Sequence, residues 1–195
     1  TAARKIINFC RNNLSMGFET GEAVLQRRAT VKKISTGVTS FDELMGGGFE
    51  TGSITECFGE FGSSKTQIAH VLCVQTLKTY PKSVAVYIDT EKTFRPERII
   101  QFAKGLDMDP DDALARIKVA KAYNSDHQML LAEKVEELVT KQELDVKLVI
   151  VDSLTSHFRA EFVGRGTLAV RQQKLNKHMH VLSKLADLYN ICVYV

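Results

Sequence analysis

Residues 53–66 read Ser-Ile-Thr-Glu-Cys-Phe-Gly-Glu-Phe-Gly-Ser-Ser-Lys-Thr, and this stretch decides the fold. The run ending at Phe58 reads as a strand, and Gly59, Glu60, Phe61, Gly62, Ser63 and Ser64 form the turn after it. From Lys65 onward Ile68, Val71, Leu72 and Gln75 recur at helical spacing. A glycine-bearing loop between a strand and a helix N-terminus is where a phosphate is cradled, because backbone N–H groups and the positive end of the helix dipole face the anion. In such a loop Lys65 would reach the β/γ-phosphates of a nucleotide and the Thr66 hydroxyl would ligate Mg2+. The pattern G-x-x-x-x-G-K-[ST] has glycine before the lysine, whereas this chain has Ser64, whose side chain crowds the phosphate or a turn that glycine makes freely. The alternative reading is a turn in which Ser63 or Ser64 caps the helix.

Two further carboxylates favour the phosphate reading. Lys147-Leu-Val-Ile-Val151 is a buried-strand pattern that ends in Asp152, where an acid at a strand's carboxyl end holds the water shell of Mg2+. The apolar run 83–88 is followed by Asp89-Thr-Glu91, so Glu91 stands where a general base orients the water that attacks a γ-phosphate. Taken singly, Asp152 could cap the next helix and Glu91 could be a solvated loop acid. Together with the loop they describe an ATPase.

Outward from these segments, strands near 53–58, 83–88, 117–120, 147–151 and 191–195 alternate with helices from about Lys65, after Pro96, to Thr140, and over 168–189. That alternation predicts an α/β fold with a mostly parallel central sheet flanked by helices. Residues 3–14 carry Ala3, Ile6, Ile7, Cys10 and Leu14 on one helical stripe, and the polar stretch 15–33 reads as a linker. The expected organisation is therefore 1–33 as the end of a helical domain plus linker, and 34–195 as the catalytic core. The sequence stops inside an apolar run, as a piece of a longer protein would.

With 195 residues, 44% hydrophobic and 25% charged, the chain is sized for one α/β core. A net charge of +3 is too small to signal nucleic acid through bulk charge, so a DNA contact requires a local patch. No apolar run approaches the roughly 20 residues of a membrane helix, and no membrane partner is expected. Cys10, Cys57, Cys73 and Cys192 lack C-x-x-C spacing and read as small hydrophobes of a reducing compartment. His178 and His180 point to different helix faces, and His70, His127 and His157 share no ligand spacing, so no metal beyond Mg2+ is expected.

The blocks Ile34-Ser-Thr-Gly37, Gly59-Glu-Phe-Gly62, residues 88–98, Asn124-Ser-Asp-His-Gln128, residues 151–159, Gly164-Arg-Gly166 and Arg171-Gln-Gln resemble the RecA-family recombinases, most closely the archaeal RadA group and its eukaryotic counterparts. The resemblance covers nearly the whole chain. It implies a RecA-like P-loop core and an ATP- and Mg2+-dependent recombinase. Such a protein polymerises on single-stranded DNA, as a helical filament or ring, and pairs it with a double-stranded homologue. Carried over, residues 59–67 including Gln67 bind the nucleotide, Lys65 and Glu91 are catalytic, and Thr66 and Asp152 serve Mg2+, Asp152 through water. Arg98 matches the residue packed on adenine.

Residues 159–171 match the family's first DNA-binding loop and carry Arg159, Arg165 and Arg171, with Gly164, Gly166, Phe158 and Phe162. Read by itself, the segment is a basic loop fit for phosphates or an ordinary solvated surface, and Arg171 could instead make a salt bridge on the following helix. Phe18-Glu-Thr-Gly21 resembles an F-x-x-A tether between protomers in which Gly21 lacks the alanine methyl, worth about 0.8 kcal/mol. The matching pocket comprises Ala120, Leu131, Val135 and Leu138, whose helical spacing also suits plain core packing. A Phe packing on its own domain is the simpler reading of Phe18. Two other functions compete: a regulatory paralogue that binds nucleotide and recombinase or DNA without strand exchange, favoured by Ser64 and Gly21, and a hexameric ring motor. The resemblance implies a cytoplasmic, nucleoid location for an archaeal source and a nuclear one for a eukaryotic source. The pairs Arg27-Arg28 and Lys32-Lys33 read as linker charges or as a basic targeting signal.

Overall fold

The computed structural model describes residues 18–29 and 31–195, in two units that divide between Val31 and Lys32. The amphipathic stripe expected over 3–14 lies outside the described residues. Within the first unit the linker expected over 15–33 gives way to a helix, α1 (Gly21–Arg28). Its cause is local: the Thr20 hydroxyl accepts from the Ala23 amide at 3.1 Å, Glu22 lies in the first turn, and Arg27 and Arg28 lie in the last. Cap and charges both match the helix dipole, and no apolar stripe is needed. No residue of α1 is buried, and Phe18 is fully exposed.

The second unit begins with β1 (Lys33–Ile34), α2 (Thr39–Leu44) and β2 (Phe49–Glu50), β1 and β2 pairing antiparallel. It continues through β3 (Ser53–Thr55), α3 (Lys65–Thr79), β4 (Val84–Asp89), α4 (Pro96–Gly105), α5 (Pro110–Ala115) and β5 (Ile117–Lys121). The remaining elements are α6 (Ser125–Thr140), β6 (Val146–Asp152), α7 (Ser156–Glu161), α8 (Leu168–Tyr189) and β7 (Cys192–Tyr194). Strands β3–β7 form a parallel sheet of order β3-β7-β6-β4-β5, a RecA-like α/β core. The strand expected to reach Phe58 ends at Thr55, and Phe58 is exposed.

The central strands are apolar between their ends, Lys147 apart, because both faces are covered. Ala85, Tyr87, Leu148, Ile150 and Tyr194 join one cluster with Leu72 and Cys73 of α3 and Ile99 of α4. Val86, Ile88, Val149, Val151 and Val193 join the other, with Ala132 and Val135 of α6 and Leu182 and Leu185 of α8. Burial pushes the Cys192 thiol up to about 12, which keeps it an inert core group. Since all five strands run the same way, the loops after β3, β4 and β6 open at one edge of the sheet, where a parallel sheet carries its site.

Candidate active site

The loop between β3 and α3 is held by its own backbone. Lys65 Nζ donates to the Gly59 carbonyl at 2.8 Å, the Glu60 carbonyl at 2.7 Å and Ser63 Oγ at 3.0 Å. Ser63 Oγ in turn donates to the Glu60 carbonyl at 2.8 Å. Gly62 turns with φ +83°, and Ser64 adopts φ 68°, ψ 12°, a left-handed conformation that costs a side-chain-bearing residue about 1 kcal/mol. Ser64 makes no side-chain cap on α3, so the capping alternative for this residue is not realised. The Phe61 ring is exposed.

At the neighbouring strand end, Asp152 Oδ2 accepts three hydroxyls: Thr66 Oγ1 at 2.8 Å, Tyr87 OH at 2.8 Å and Thr93 Oγ1 at 3.2 Å. Thr66 and Asp152, 86 residues apart in sequence, thus meet beside the loop. A hydroxyl and a carboxylate at this distance suit a hard divalent cation that takes its other ligands from phosphate and water. Among the described residues no cluster of three or more His, Cys, Asp or Glu side chains could cage an ion without such help. The Tyr87 phenol is held well above its ordinary range, first by burial and then by the Asp152 charge, so it stays a hydrogen-bond donor.

Asp89 is in register with Asp152 on the adjacent strand but has a different task. Its Oδ1 accepts the amides of Glu91 at 3.3 Å and Thr93 at 3.0 Å, and its Oδ2 accepts that of Phe94 at 3.2 Å. The loop so folded carries Glu91, whose exposed carboxylate accepts Ser153 Oγ at 2.7 Å. Ser153 itself is fixed by its amide to Thr90 Oγ1 at 2.7 Å. Glu91 therefore stands across the residue next to Asp152.

His70 ties the helix to this loop. Its Nδ1–H donates to the Thr66 carbonyl at 2.6 Å, and its Nε2 accepts the Arg95 amide at 3.0 Å, which fixes the neutral tautomer. Burial lowers its pKa in the same sense. Arg98 Nε donates to Gln67 Oε1 at 2.9 Å, and its guanidinium lies 5.1 Å from the Phe102 ring centroid, which brings Arg98 to the first turn of α3. Sequence reading missed Tyr87, Thr93, Ser153 and His70, each of which has a partner on another element, and Asp89, whose partners are the amides of the loop that follows it.

Of the basic segment, Arg159 is exposed on α7, Arg165 is exposed in a short 3-10 turn (Arg165–Thr167), and Arg171 is half-buried in α8. Gly164 provides the sharp turn, with φ +85°. Phe158 does not belong to a DNA-facing surface: it is fully buried, stacked on His178 at 6.0 Å. Phe162 is half-buried beneath Lys174 Nζ, 5.2 Å from its ring centroid. Of the expected protomer pocket, Val135 is buried and Leu131 and Leu138 pack beside it on the same core cluster, while Ala120 is half-buried on β5. Core packing thus accounts for the three residues of α6. Phe18 and Gly21 belong to the first unit, Gly21 opening α1.

A family model described as Rad51 matches residues 27–195. The chain belongs to the Rad51 family. That membership makes it a RecA-family ATPase domain of the recombinase class. No helix among the described residues is long and apolar enough to cross a membrane.

Proposed function

We propose that the chain is the ATPase core of an active DNA recombinase, an archaeal RadA-type protein, which assembles on single-stranded DNA and exchanges it with a homologous duplex. The observation that carries this reading is the meeting of Thr66 and Asp152 at 2.8 Å, with Glu91 hydrogen-bonded to the adjacent Ser153. On this reading Lys65 leaves its loop carbonyls for the β/γ-phosphates, and the α3 amides complete the cradle with residues 59–67. Thr66 and, through water, Asp152 would hold Mg2+, which supplies neutralisation of phosphate charge when bound with the nucleotide. Glu91 accepts a proton from the attacking water, and the Ser153 hydroxyl holds it in place. Arg98, steadied by Gln67, packs on the base.

Arg159 and Arg165 contact DNA phosphates, with Arg171 as a lesser contributor. Residues 1–33 form the end of a helical domain and a tether whose Phe18 docks on a neighbouring protomer of a filament or ring. The location proposed is the nucleoid-containing cytoplasm. A second reading, the regulatory paralogue, is favoured by the left-handed Ser64 in the phosphate loop. The test is ATP hydrolysis by the full-length protein with and without single-stranded DNA, alongside Glu91→Gln. DNA-stimulated turnover that Glu91→Gln lowers about 100-fold or more while ATP still binds is expected. Nucleotide and DNA binding without stimulated turnover or strand exchange supports the paralogue, and absence of ATP binding refutes both.

A further inference from the structure

The core on the α6/α8 face is apolar apart from Ser125, which bonds to Glu161, and one buried polar pair. Gln128 of α6 and His178 of α8 are both fully buried, 50 residues apart in sequence, with the Gln128 Nε2 and His178 Nε2 atoms 3.2 Å apart. The same Gln128 Nε2 donates to the Leu154 carbonyl at 2.9 Å. An amide nitrogen has two hydrogens, so one serves Leu154 and the other His178 Nε2, and the imidazole must be neutral with its own hydrogen on Nδ1. That Nδ1 and Gln128 Oε1 have no hydrogen-bond partner among the described residues. Two apolar side chains would fill this space but leave the Leu154 carbonyl without the Gln128 donor, so the pair serves that carbonyl and the turn that bears it rather than packing alone.

Its location offers an explanation. Leu154 is two residues beyond Asp152 and next to Ser153, which holds Glu91. His178 stacks on Phe158 of α7, beside Arg159, and belongs to the helix that carries Arg171. The first turn of α6 also grips both of those helices. The Ser125 amide and hydroxyl donate to the Glu161 carboxylate, the amide at 2.7 Å, and Asp126 pairs with Lys174 at 2.7 Å. One carboxamide thus joins the turn after the Walker-type acid to the helices that flank the basic segment.

We propose that Gln128 and His178 are positioning residues that couple occupancy of the Arg159–Arg165 segment by single-stranded DNA to the placement of Ser153, and through it Glu91. The element with two arrangements is the Leu154 turn, with its carbonyl held by Gln128 or released. DNA that fixes α7 and α8 holds His178, which orients the Gln128 amide toward Leu154 and keeps Ser153 beneath Glu91. This inference rests on the functional reading above, because it presumes DNA-stimulated hydrolysis. Both residues are fully buried, away from any surface that nucleotide or DNA could reach, so the coupling is separable from both binding events.

The test compares the full-length protein with His178→Leu, Gln128→Met and His178→Gln. The last restores an acceptor near the position of Nε2. The expected result is a fivefold or larger fall in the ratio of DNA-stimulated to basal hydrolysis in His178→Leu and Gln128→Met. Basal turnover and single-stranded-DNA affinity stay within twofold, and His178→Gln recovers the ratio. An unchanged ratio in folded variants, or equal loss of basal and stimulated rates, overturns the coupling. Hydrogen exchange on the unsubstituted protein gives a readout independent of variant folding. DNA should slow exchange of the amides at 153–156, and no change there overturns the proposal. Absence of any stimulation in the unsubstituted protein, with ATP and DNA both bound, instead refutes the functional reading and takes the inference with it.

Discussion

Replacing Ser64 by glycine tests whether the phosphate loop is under backbone strain. Ser64 has φ 68°, and a Cβ in that region costs about 1 kcal/mol that glycine does not incur. In the folding equilibrium most of this relief is cancelled, because glycine's freedom in the unfolded chain lowers stability by roughly 0.4–1 kcal/mol. The melting temperature should therefore move by less than about 2 °C. In a binding equilibrium between folded states that cancellation is absent. Relief of about 1 kcal/mol raises the left-handed population of the loop up to about fivefold, and apparent affinity follows that population. ATP affinity measured by calorimetry on Ser64→Gly is expected to rise two- to fivefold by this argument, with turnover unchanged or faster. Ser64→Ala keeps the strain but removes a hydroxyl that caps nothing, so it should match the natural chain, while a β-branched Ser64→Val should bind more weakly. If the glycine variant leaves both affinity and turnover unchanged, the neighbours already hold the loop fully and the strain reasoning is wrong. If alanine behaves like glycine, the hydroxyl rather than the backbone is responsible.

Arg165→Ala should weaken single-stranded-DNA binding uniformly across sequences and reduce the salt slope of log affinity by about 0.7, with a smaller change for the half-buried Arg171→Ala. Fluorescence titrations at several salt concentrations read both. For His178, burial holds the folded-state pKa down to about 4, below an ordinary 6.5, so its stabilising contribution is complete above pH 6.5 and is lost as pH falls toward 4. Urea unfolding of His178→Leu should therefore show a loss between pH 7.5 and 4.5 smaller by about 2 to 3 kcal/mol than the unsubstituted chain, and equal losses would contradict the assigned burial effect. Gly21 opens α1 with open space around its Cβ position, so Gly21→Ala is sterically free. If Phe18 docks on another protomer, the added methyl should tighten self-association about fourfold by sedimentation, corresponding to about 0.8 kcal/mol.

The parallel sheet was legible because doubly covered strands need no alternation: the runs at 84–88 and 148–151 are apolar throughout and end in acids. The loop before Lys65 was legible because strand, glycine and helix follow one another in sequence. What escaped was what depends on neighbouring strands. Tyr87 reads as one more apolar strand residue, and only pairing of β4 with β6 brings its hydroxyl to Asp152. Phe158 reads as a loop aromatic, yet one turn of α7 carries it into the core. The helix α1 escaped because periodicity finds buried faces and α1 has none. Its Thr20 cap and charge order were the available signals. The Asp109-Pro110 start of α5 was a comparable cue, with the Asp109 side chain accepting the Asp111 amide.

Two acids in register on adjacent strands, Asp89 and Asp152, raise the question of why only one is assigned to the phosphates. Their donors answer it. Asp89 is held by three backbone amides, which cannot turn away without unfolding the loop from 91 to 94, with the Thr93 hydroxyl only a long 3.5 Å contact beside them. Asp152 is surrounded by the hydroxyls of Thr66, Tyr87 and Thr93, and a hydroxyl rotates at little cost and presents either a hydrogen or a lone pair. A carboxylate held by amides is structural, since any competing ligand must break backbone order. One held by hydroxyls can exchange them for a cation or its water while Thr66 turns its oxygen to the same ligand. Asp152 is for that reason the acid we propose beside the phosphates, and Asp89 the one that shapes the loop bearing Glu91. The distinction is open to experiment: Asp89→Asn keeps one acceptor oxygen for the loop amides and should lower stability and misplace Glu91 while ATP still binds. Asp152→Asn should leave the fold intact and weaken Mg2+-dependent nucleotide binding, and the reverse pattern would exchange the two assignments.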